Sequence, residues 1–158
     1  MLWEKGIQEE LEMLRLAGTW ELVDHLGGNQ VIVGSKWVFC AKKDAAGNII
    51  RHKARLVAQS FSQVPGVNYF NTYASVTRLA SIQVILSIAA VLDMELHQID
   101  IKGAYLNGEL TSDEVIYMCQ PPGYPAPNSS SKVCCLRKTL YSLKQSRQRW
   151  YQKLFKFP

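Results

Sequence analysis

Apolar residues in the first part of the chain recur at the spacing of an α-helix. Between residues 4 and 16 the apolar positions include Ile7, Leu11 and Leu14, and glutamates stand between them. Because residues three and four apart share one face of a helix, this pattern predicts a short amphipathic helix. Gly18 follows the periodic residues and is expected to end the helix.

Alternating apolar and polar residues then predict strands. Residues 20–23 are expected to form the first strand, and residues 25–29 the loop after it. Residues 36–41 and 49–58 alternate on either side of a turn-forming stretch at 44–48, and together they predict a β-hairpin. The first part of the chain is therefore expected to combine one helix with antiparallel strands.

The second strand of this hairpin carries three basic residues on one face. Arg51, Lys53 and Arg55 recur at period two, so their side chains project from one side of the strand, while Ile50, Ala54 and Leu56 lie on the other. Such a stripe is typical of a solvated outer face, and it also suits a surface that faces phosphate groups. The strand pattern alone leaves both interpretations open.

The middle of the chain is predicted to return to a helix. Apolar residues lie on more than one face of residues 78–92, which predicts a largely buried helix. Residues 94–101 are expected to form a short strand that contains a single carboxylate, Asp100. A further short strand is predicted at 115–118, and the proline-rich residues 121–131 are expected to form a connecting loop.

The last part of the chain, residues 132–158, is basic and contains no acidic residue. Aromatic residues are interleaved with its charges, which suits a surface that follows a nucleic-acid backbone. The residues expected to contact nucleic acid in this way are Arg137, Lys138, Arg147, Arg149 and Lys153. A helix is expected at about residues 145–157.

The composition fits a folded domain of ordinary size. The chain has 158 residues, 47% of them hydrophobic, which is enough to fill a core and argues against a disordered chain. A formal net charge of +5 favours an anionic partner without identifying it. No apolar run approaches the length of a membrane span, so we expect a protein inside the cell without a membrane partner. The four cysteines lack C-x-x-C spacing and are expected to be reduced thiols.

Four ordered motifs resemble one protein family. They are Ser35-Lys-Trp-Val-Phe39, Lys53-Ala-Arg-Leu-Val-Ala-Gln59, Gln98-Ile-Asp-Ile-Lys-Gly-Ala-Tyr-Leu-Asn-Gly108 and Leu140-Tyr-Ser-Leu-Lys-Gln-Ser146. In order and spacing they resemble the reverse transcriptase (RNA-directed DNA polymerase) segment of copia-type LTR retrotransposon Pol polyproteins. Four motifs in order are far more specific than one, and the resemblance covers essentially the whole chain from about Trp20 onward.

The resemblance implies an α+β fold, namely the fingers and partial palm of a right-hand polymerase, with antiparallel sheets and packed helices. Residues 1–158 would form a single truncated reverse transcriptase domain. Residues from about 1 to 77 would be mostly fingers, and residues from about 78 to 158 would be a partial palm with a returning fingers segment. The remainder of the Pol polyprotein would be missing here.

The resemblance also assigns roles to particular residues. Asp100 matches the family's first catalytic, metal-binding aspartate, and Tyr105 matches the ring that packs under the incoming sugar and excludes a 2′-hydroxyl. Lys53 and Arg55 match fingers residues that lean over the triphosphate. Tyr141 and Lys144 lie in the loop that contacts the nucleotide and the template.

The implied chemistry is nucleotidyl transfer with two Mg²⁺ ions, a dNTP substrate and an RNA or DNA template-primer. The family's other carboxylates lie in a Tyr-x-Asp-Asp hairpin that this sequence does not contain. We therefore expect the chain to be inactive alone, although the resemblance implies that its intact parent is an RNA-directed DNA polymerase. The implied location is the cytoplasm, within a virus-like particle in an active element.

The sequence departs from the family at several positions. Ser60 and Ser142 stand where the family usually has glycine, and Ser75 and Arg147 stand where it usually has proline. A glycine in a tight turn often supplies a backbone angle that serine adopts only at a cost. Two alternatives therefore stay open: a non-enzymatic nucleic-acid-binding remnant that uses the basic C-terminal segment, and an incompletely folded relic without activity.

Overall fold

The computed structural model describes residues 2–25, 27, 31–129 and 131–156. Its helices are α1 (Glu4–Leu16), α2 (Leu79–Val91) and α3 (Ser146–Phe155). Its strands are β1 (Trp20–Asp24), β2 (Ile32–Val33), β3 (Ser35–Lys43), β4 (Ile49–Ala58), β5 (Tyr117–Met118) and β6 (Lys132–Leu136). Two short 3₁₀ turns, Ser60–Ser62 and Ala104–Asn107, complete the mixed α and β architecture.

Helix α1 confirms the prediction from apolar spacing. Ile7 and Leu14 are buried on its inner face, and Leu14 joins the hydrophobic core. Gly18 has a φ of +61°, the left-handed backbone that ends many helices. Strand β1 follows at once and confirms the strand predicted at 20–23, whereas most of the loop predicted at 25–29 lies outside the described residues.

Strands β3 and β4 form the predicted antiparallel hairpin. Their register runs from Ser35 opposite Ala58 to Lys43 opposite Ile49, with an irregularity next to the turn. At the turn the Asn48 backbone N–H donates to Asp44 Oδ1 at 2.8 Å. Arg51, Lys53 and Arg55 line one cavity together, as their period of two predicted, while Ala54 and Leu56 are buried and Ile50 is exposed.

A second sheet of four strands has the order β1-β6-β5-β2. It is mixed because β2 and β5 pair in parallel, whereas the other neighbours are antiparallel. The sequence pattern did not predict β6, which contains Cys134 and Cys135 and pairs with both β1 and β5. The core beneath the sheet is built from fully buried side chains that include Val33, Leu56, Ile116, Met118 and Leu140.

All four cysteine thiols are free. Cys40 and Cys119 are exposed, whereas Cys134 and Cys135 are buried in β6. Burial raises the pKa of the Cys134 thiol to about 12, so this group stays protonated and unreactive at neutral pH.

The prediction of a largely buried helix at 78–92 is wrong. Helix α2 forms, but Ala89 is its one buried residue, and seven large apolar side chains along it are between 43% and 83% exposed. The reason is that no other element in the described part of the chain packs extensively against α2. With 13 residues it is also short, and none of the helices among the described residues has the length and apolarity needed to cross a bilayer.

The prediction of a strand at 94–101 is also wrong. These residues take no regular structure, and all of them are exposed. A strand needs a neighbour to accept and donate its backbone hydrogen bonds, and within the described residues the 94–101 segment has none. The strand predicted at 115–118 is present in shorter form as β5.

Candidate active site

One cavity of about 530 Å³ lies between the basic stripe of β4, helix α1 and the segment that follows α2. We call it the stripe cavity. The residues that line it and to which the family resemblance assigned a role are Lys53, Arg55, Asp100, Tyr105 and Tyr141. The fold therefore brings together side chains that are up to 88 positions apart in the sequence.

The basic wall of the stripe cavity is formed by three cations on one strand. Arg51 is paired with Glu9 of α1, whereas no carboxylate among the described residues lies within ion-pair distance of Lys53 or Arg55. Partial burial lowers the pKa of Lys53, and the neighbouring Arg55 and Arg51 lower it further. A polyanion bound here would relieve this repulsion, because it favours the charged form of each cation.

Two tyrosines line the cavity beside the basic stripe. Their ring centroids, on Tyr105 and Tyr141, are 6.1 Å apart with the planes nearly perpendicular. The Arg55 guanidinium carbon lies 5.5 Å from the centroid of the Tyr141 ring, within the range of a cation–π contact. Burial raises the pKa of Tyr141, so its hydroxyl is a neutral hydrogen-bonding group at physiological pH.

Asp100 lines the stripe cavity and belongs to the exposed segment that takes no strand structure. Gly103 follows with a φ of +61°, and this left-handed residue turns the chain into the 3₁₀ turn that carries Tyr105. Among the described residues there is no cluster of three or more His, Cys, Asp or Glu side chains that could hold a metal ion. Since each Mg²⁺ needs several oxygen ligands, the donor set of this chain does not fit a two-metal site by itself.

The loop from Leu140 to Ser146 is fixed by a chain of buried amides. Gln63 Nε2 donates to Gln145 Oε1 at 3.1 Å, and Gln145 Nε2 donates to the Asn68 carbonyl at 2.9 Å. The Lys144 backbone N–H donates to Gln63 Oε1 at 2.9 Å. The side chains of Gln63 and Gln145 are buried, and with the Asn68 backbone carbonyl they tie the loop to residues 63–68. Sequence analysis missed this role, although Gln145 lies inside one of the four motifs.

Lys144 faces a second cavity of about 480 Å³, which also contains Arg147 and is lined by Tyr105 as well. The predicted nucleotide-binding residues are therefore divided between two cavities that share Tyr105. Of the residues predicted to contact nucleic acid, Arg147 is exposed beside this second cavity.

Three of the basic residues predicted to contact nucleic acid are paired with carboxylates. Arg137 pairs with Glu21, Arg149 Nε donates to Glu114 at 2.8 Å, and Lys153 Nζ donates to Glu109 at 2.7 Å. The remaining two, Lys138 and Arg147, form no ion pair within the described residues. The three carboxylates lie in segments before residue 131. The sequence of the basic segment after residue 131 therefore did not reveal these ion pairs.

Ser142 has a φ of +71°, the left-handed conformation that a glycine adopts without strain. This finding confirms that a serine here takes a costly backbone angle.

Ser142→Gly is expected to stabilise the chain by about 0.5–1 kcal/mol, because relief of strain exceeds the extra entropy of the unfolded glycine. Urea unfolding measures the change. Ser60→Gly is the matched control, since Ser60 lies in a 3₁₀ turn without positive φ and its replacement should give no gain. Equal effects of the two substitutions would contradict the explanation.

Comparison with known proteins gives the class of this chain. The family described as Reverse transcriptase (RNA-dependent DNA polymerase) matches residues 17–157. The chain therefore belongs to the reverse transcriptase (RNA-dependent DNA polymerase) family, and the resemblance seen in the four motifs is confirmed. No solved structure matches the chain at a significant level.

Its relatives include Pol polyproteins of plant transposons. The Retrovirus-related Pol polyprotein from transposon TNT 1-94 of Nicotiana tabacum is 42% identical over 153 residues, which are 97% of this chain and 11% of that protein. The corresponding polyprotein from transposon RE1 of Arabidopsis thaliana is 38% identical over 96% of this chain and 10% of its own length. An uncharacterized mitochondrial protein of Arabidopsis thaliana is 44% identical over 58% of this chain and 54% of its own length. The chain thus spans about a tenth of the two polyproteins.

Proposed function

We propose that this chain is the part of a reverse transcriptase that binds the incoming dNTP, in a parent Pol polyprotein that performs RNA-directed DNA synthesis. The observation that carries the proposal is the stripe cavity, which unites cations, aromatic rings and Asp100 from three separate segments. In a right-hand polymerase, β3 and β4 would belong to the fingers, and the segment from Asp100 to Tyr105 would belong to the palm.

The cavity has the groups that a nucleoside triphosphate requires. Lys53 and Arg55 would bind the phosphate oxygens, since a cation paired with an anionic oxygen forms the stronger class of hydrogen bond. The Tyr141 ring, which already carries the Arg55 guanidinium at 5.5 Å, would hold this arginine in place. Tyr105 would pack under the sugar and exclude a 2′-hydroxyl, and Lys144 in the second cavity would contact the template side.

Nucleotidyl transfer in the parent enzyme is proposed to use two Mg²⁺ ions, which neutralise the triphosphate and activate the primer hydroxyl. Asp100 is the ligand that this chain would contribute. The other carboxylates must come from residues outside this sequence, which contains no Asp-Asp pair. We therefore propose that the chain alone binds nucleotide but does not extend a primer.

The ion pairs within the basic C-terminal segment favour this proposal over a nucleic-acid-binding remnant. Such a remnant would depend on free cations that release counterions when they meet phosphates. Arg137, Arg149 and Lys153 each have a carboxylate partner, which lowers the charge available to a polyanion. Lys138 and Arg147 remain as candidates for contact with a template-primer.

Calorimetric titration of the full chain with a dNTP tests the proposal. Lys53→Gln and Arg55→Gln are each expected to weaken binding by roughly tenfold, because each removes one charge-assisted hydrogen bond. Lys43→Gln is the matched control, since it removes the same charge from an exposed residue at the end of β3 that does not line the stripe cavity. Equal weakening by all three substitutions would show that only overall charge matters and would contradict a nucleotide site.

A further inference from the structure

Glu10 is a buried carboxylate for which the proposed function has no role. It lies on α1, its exposed fraction is 3%, and it forms no ion pair within the described residues. Burial raises the pKa of its carboxyl group, and the nearby cations Arg55 and Lys53 oppose that shift. The residue lines the stripe cavity, so its contacts bear on whatever binds there.

The carboxylate contacts the outer edge of β4. One edge of β4 pairs with β3, and the backbone N–H groups of Leu56 and Ala58 point the other way. Glu10 Oε1 accepts from the Leu56 N–H at 3.2 Å. Two residues on, the Ala58 N–H donates to the Tyr141 carbonyl at 3.0 Å. Helix α1 and Tyr141 therefore hold neighbouring points of the same strand edge.

Helix α1 approaches this edge closely. A β-carbon placed on Gly6 would lie 2.6 Å from the His52 carbonyl oxygen, so only glycine allows the helix to come so near. The close approach lets the Glu10 side chain reach the strand backbone, where a carboxylate satisfies an edge N–H that would otherwise be buried without a partner.

Arg55 is the residue of the basic stripe that lies next to these contacts. It immediately precedes Leu56 in the chain, and its guanidinium lies over the Tyr141 ring. The Glu10 contact at Leu56 and the Tyr141 contact at Ala58 together fix the backbone that carries Arg55. A shift of this edge would move the guanidinium away from the ring.

We propose that Glu10 is a positioning residue of the nucleotide site: by accepting the Leu56 N–H it holds the β4 edge in place and keeps Arg55 against Tyr141, ready for a polyphosphate. This inference rests on the proposed function, because it assumes that Arg55 meets the phosphates. The positioning of Arg55 then depends on the hydrogen-bond acceptor that Glu10 supplies, and not on the charge of Glu10.

Three substitutions at Glu10 distinguish the effect of side-chain length from the effect of charge. Glu10→Gln keeps an acceptor oxygen at the same reach and removes the charge, whereas Glu10→Asp keeps the charge on a side chain one methylene shorter, and Glu10→Ala removes both. Amide hydrogen exchange at Leu56 is expected to stay slow in the wild type and in Glu10→Gln and to speed up by at least about tenfold in the other two. Glu12→Gln is the control, since Glu12 is exposed on the same helix and pairs with Arg15.

Binding of inorganic tripolyphosphate gives the functional readout. Glu10→Asp and Glu10→Ala are expected to weaken it by about fivefold, the loss expected when one hydrogen bond no longer holds the site. Glu10→Gln should bind at least as tightly as the wild type. In an Arg55→Gln background none of the three should change the affinity.

The outcomes separate the two proposals. Wild-type binding that depends on Arg55 but is unchanged in Glu10→Asp would overturn the role of Glu10 and leave the nucleotide site standing. A similar loss of tripolyphosphate affinity in Glu10→Gln and Glu10→Ala would show that the charge of Glu10 matters. That result would also overturn its role as a hydrogen-bond acceptor. If Glu10→Ala fails to fold, Glu10→Asp and Glu10→Gln still decide the question. No tripolyphosphate binding by a folded wild type would refute the proposed function, whereas Leu56 exchange would still report the Glu10 contact.

Discussion

Arg149→Ala is expected to destabilise the chain by about 3–5 kcal/mol, a large fraction of the stability of an ordinary domain. The reason is Glu114, whose side chain is 1% exposed. Arg149 donates to its Oε2 at 2.8 Å, and Oε1 has no hydrogen-bond partner in the described structure. Without the arginine, the buried Glu114 carboxylate would lose its ion pair and keep only two long hydrogen bonds, from the Thr111 N–H at 3.4 Å and the Thr111 hydroxyl at 3.3 Å.

Urea unfolding with matched variants measures this effect. Arg147→Ala is the control, because Arg147 lies two positions away on the same helix, is exposed, and has no ion pair within the described residues. Its replacement should change the free energy of unfolding by less than about 0.5 kcal/mol. Combining Arg149→Ala with Glu114→Gln should recover part of the loss, since the buried charge is then removed. A stability change at Arg149 as small as that at Arg147 would contradict the buried ion pair.

The exposed apolar surface of α2 is expected to make the isolated chain self-associate. Ile85 and Val91 are 60% and 83% exposed, and the helix contains no charged residue. Burying one such side chain stabilises an interface by roughly 1.5–3 kcal/mol, so seven of them give a strong tendency to associate. Size-exclusion chromatography with light scattering is expected to give a mass above that of the monomer, rising with concentration.

A double substitution tests whether α2 is responsible. Ile85→Lys with Val91→Lys is expected to weaken self-association by roughly 100-fold, because both apolar contacts are lost and charges are introduced. Leu2→Lys with Phe61→Lys is the control, since these two apolar residues are also well exposed, at 77% and 82%, but lie outside α2. A monomeric wild type at high concentration, or an equal response to both pairs, would show that α2 does not cause association.

The sequence by itself determined the elements whose stability is local. Apolar spacing at Ile7 and Leu14 determined α1, and Gly18 marked its end, because helical periodicity and a left-handed glycine act within a few residues. The hairpin of β3 and β4 followed from alternation around a turn. The four motifs also determined the family, and they selected residues that the fold gathers around the stripe cavity.

Only the tertiary structure decided which groups meet across the chain. Lys153 and Arg149 had no acidic neighbour in sequence, yet the fold gives them Glu109 and Glu114 as partners. Helix α2 was expected to be buried from its apolar residues, but burial needs an element that packs against it, and local pattern does not tell whether one is present. The contact between Glu10 and Leu56 was equally hidden, because it depends on how closely α1 approaches the edge of β4.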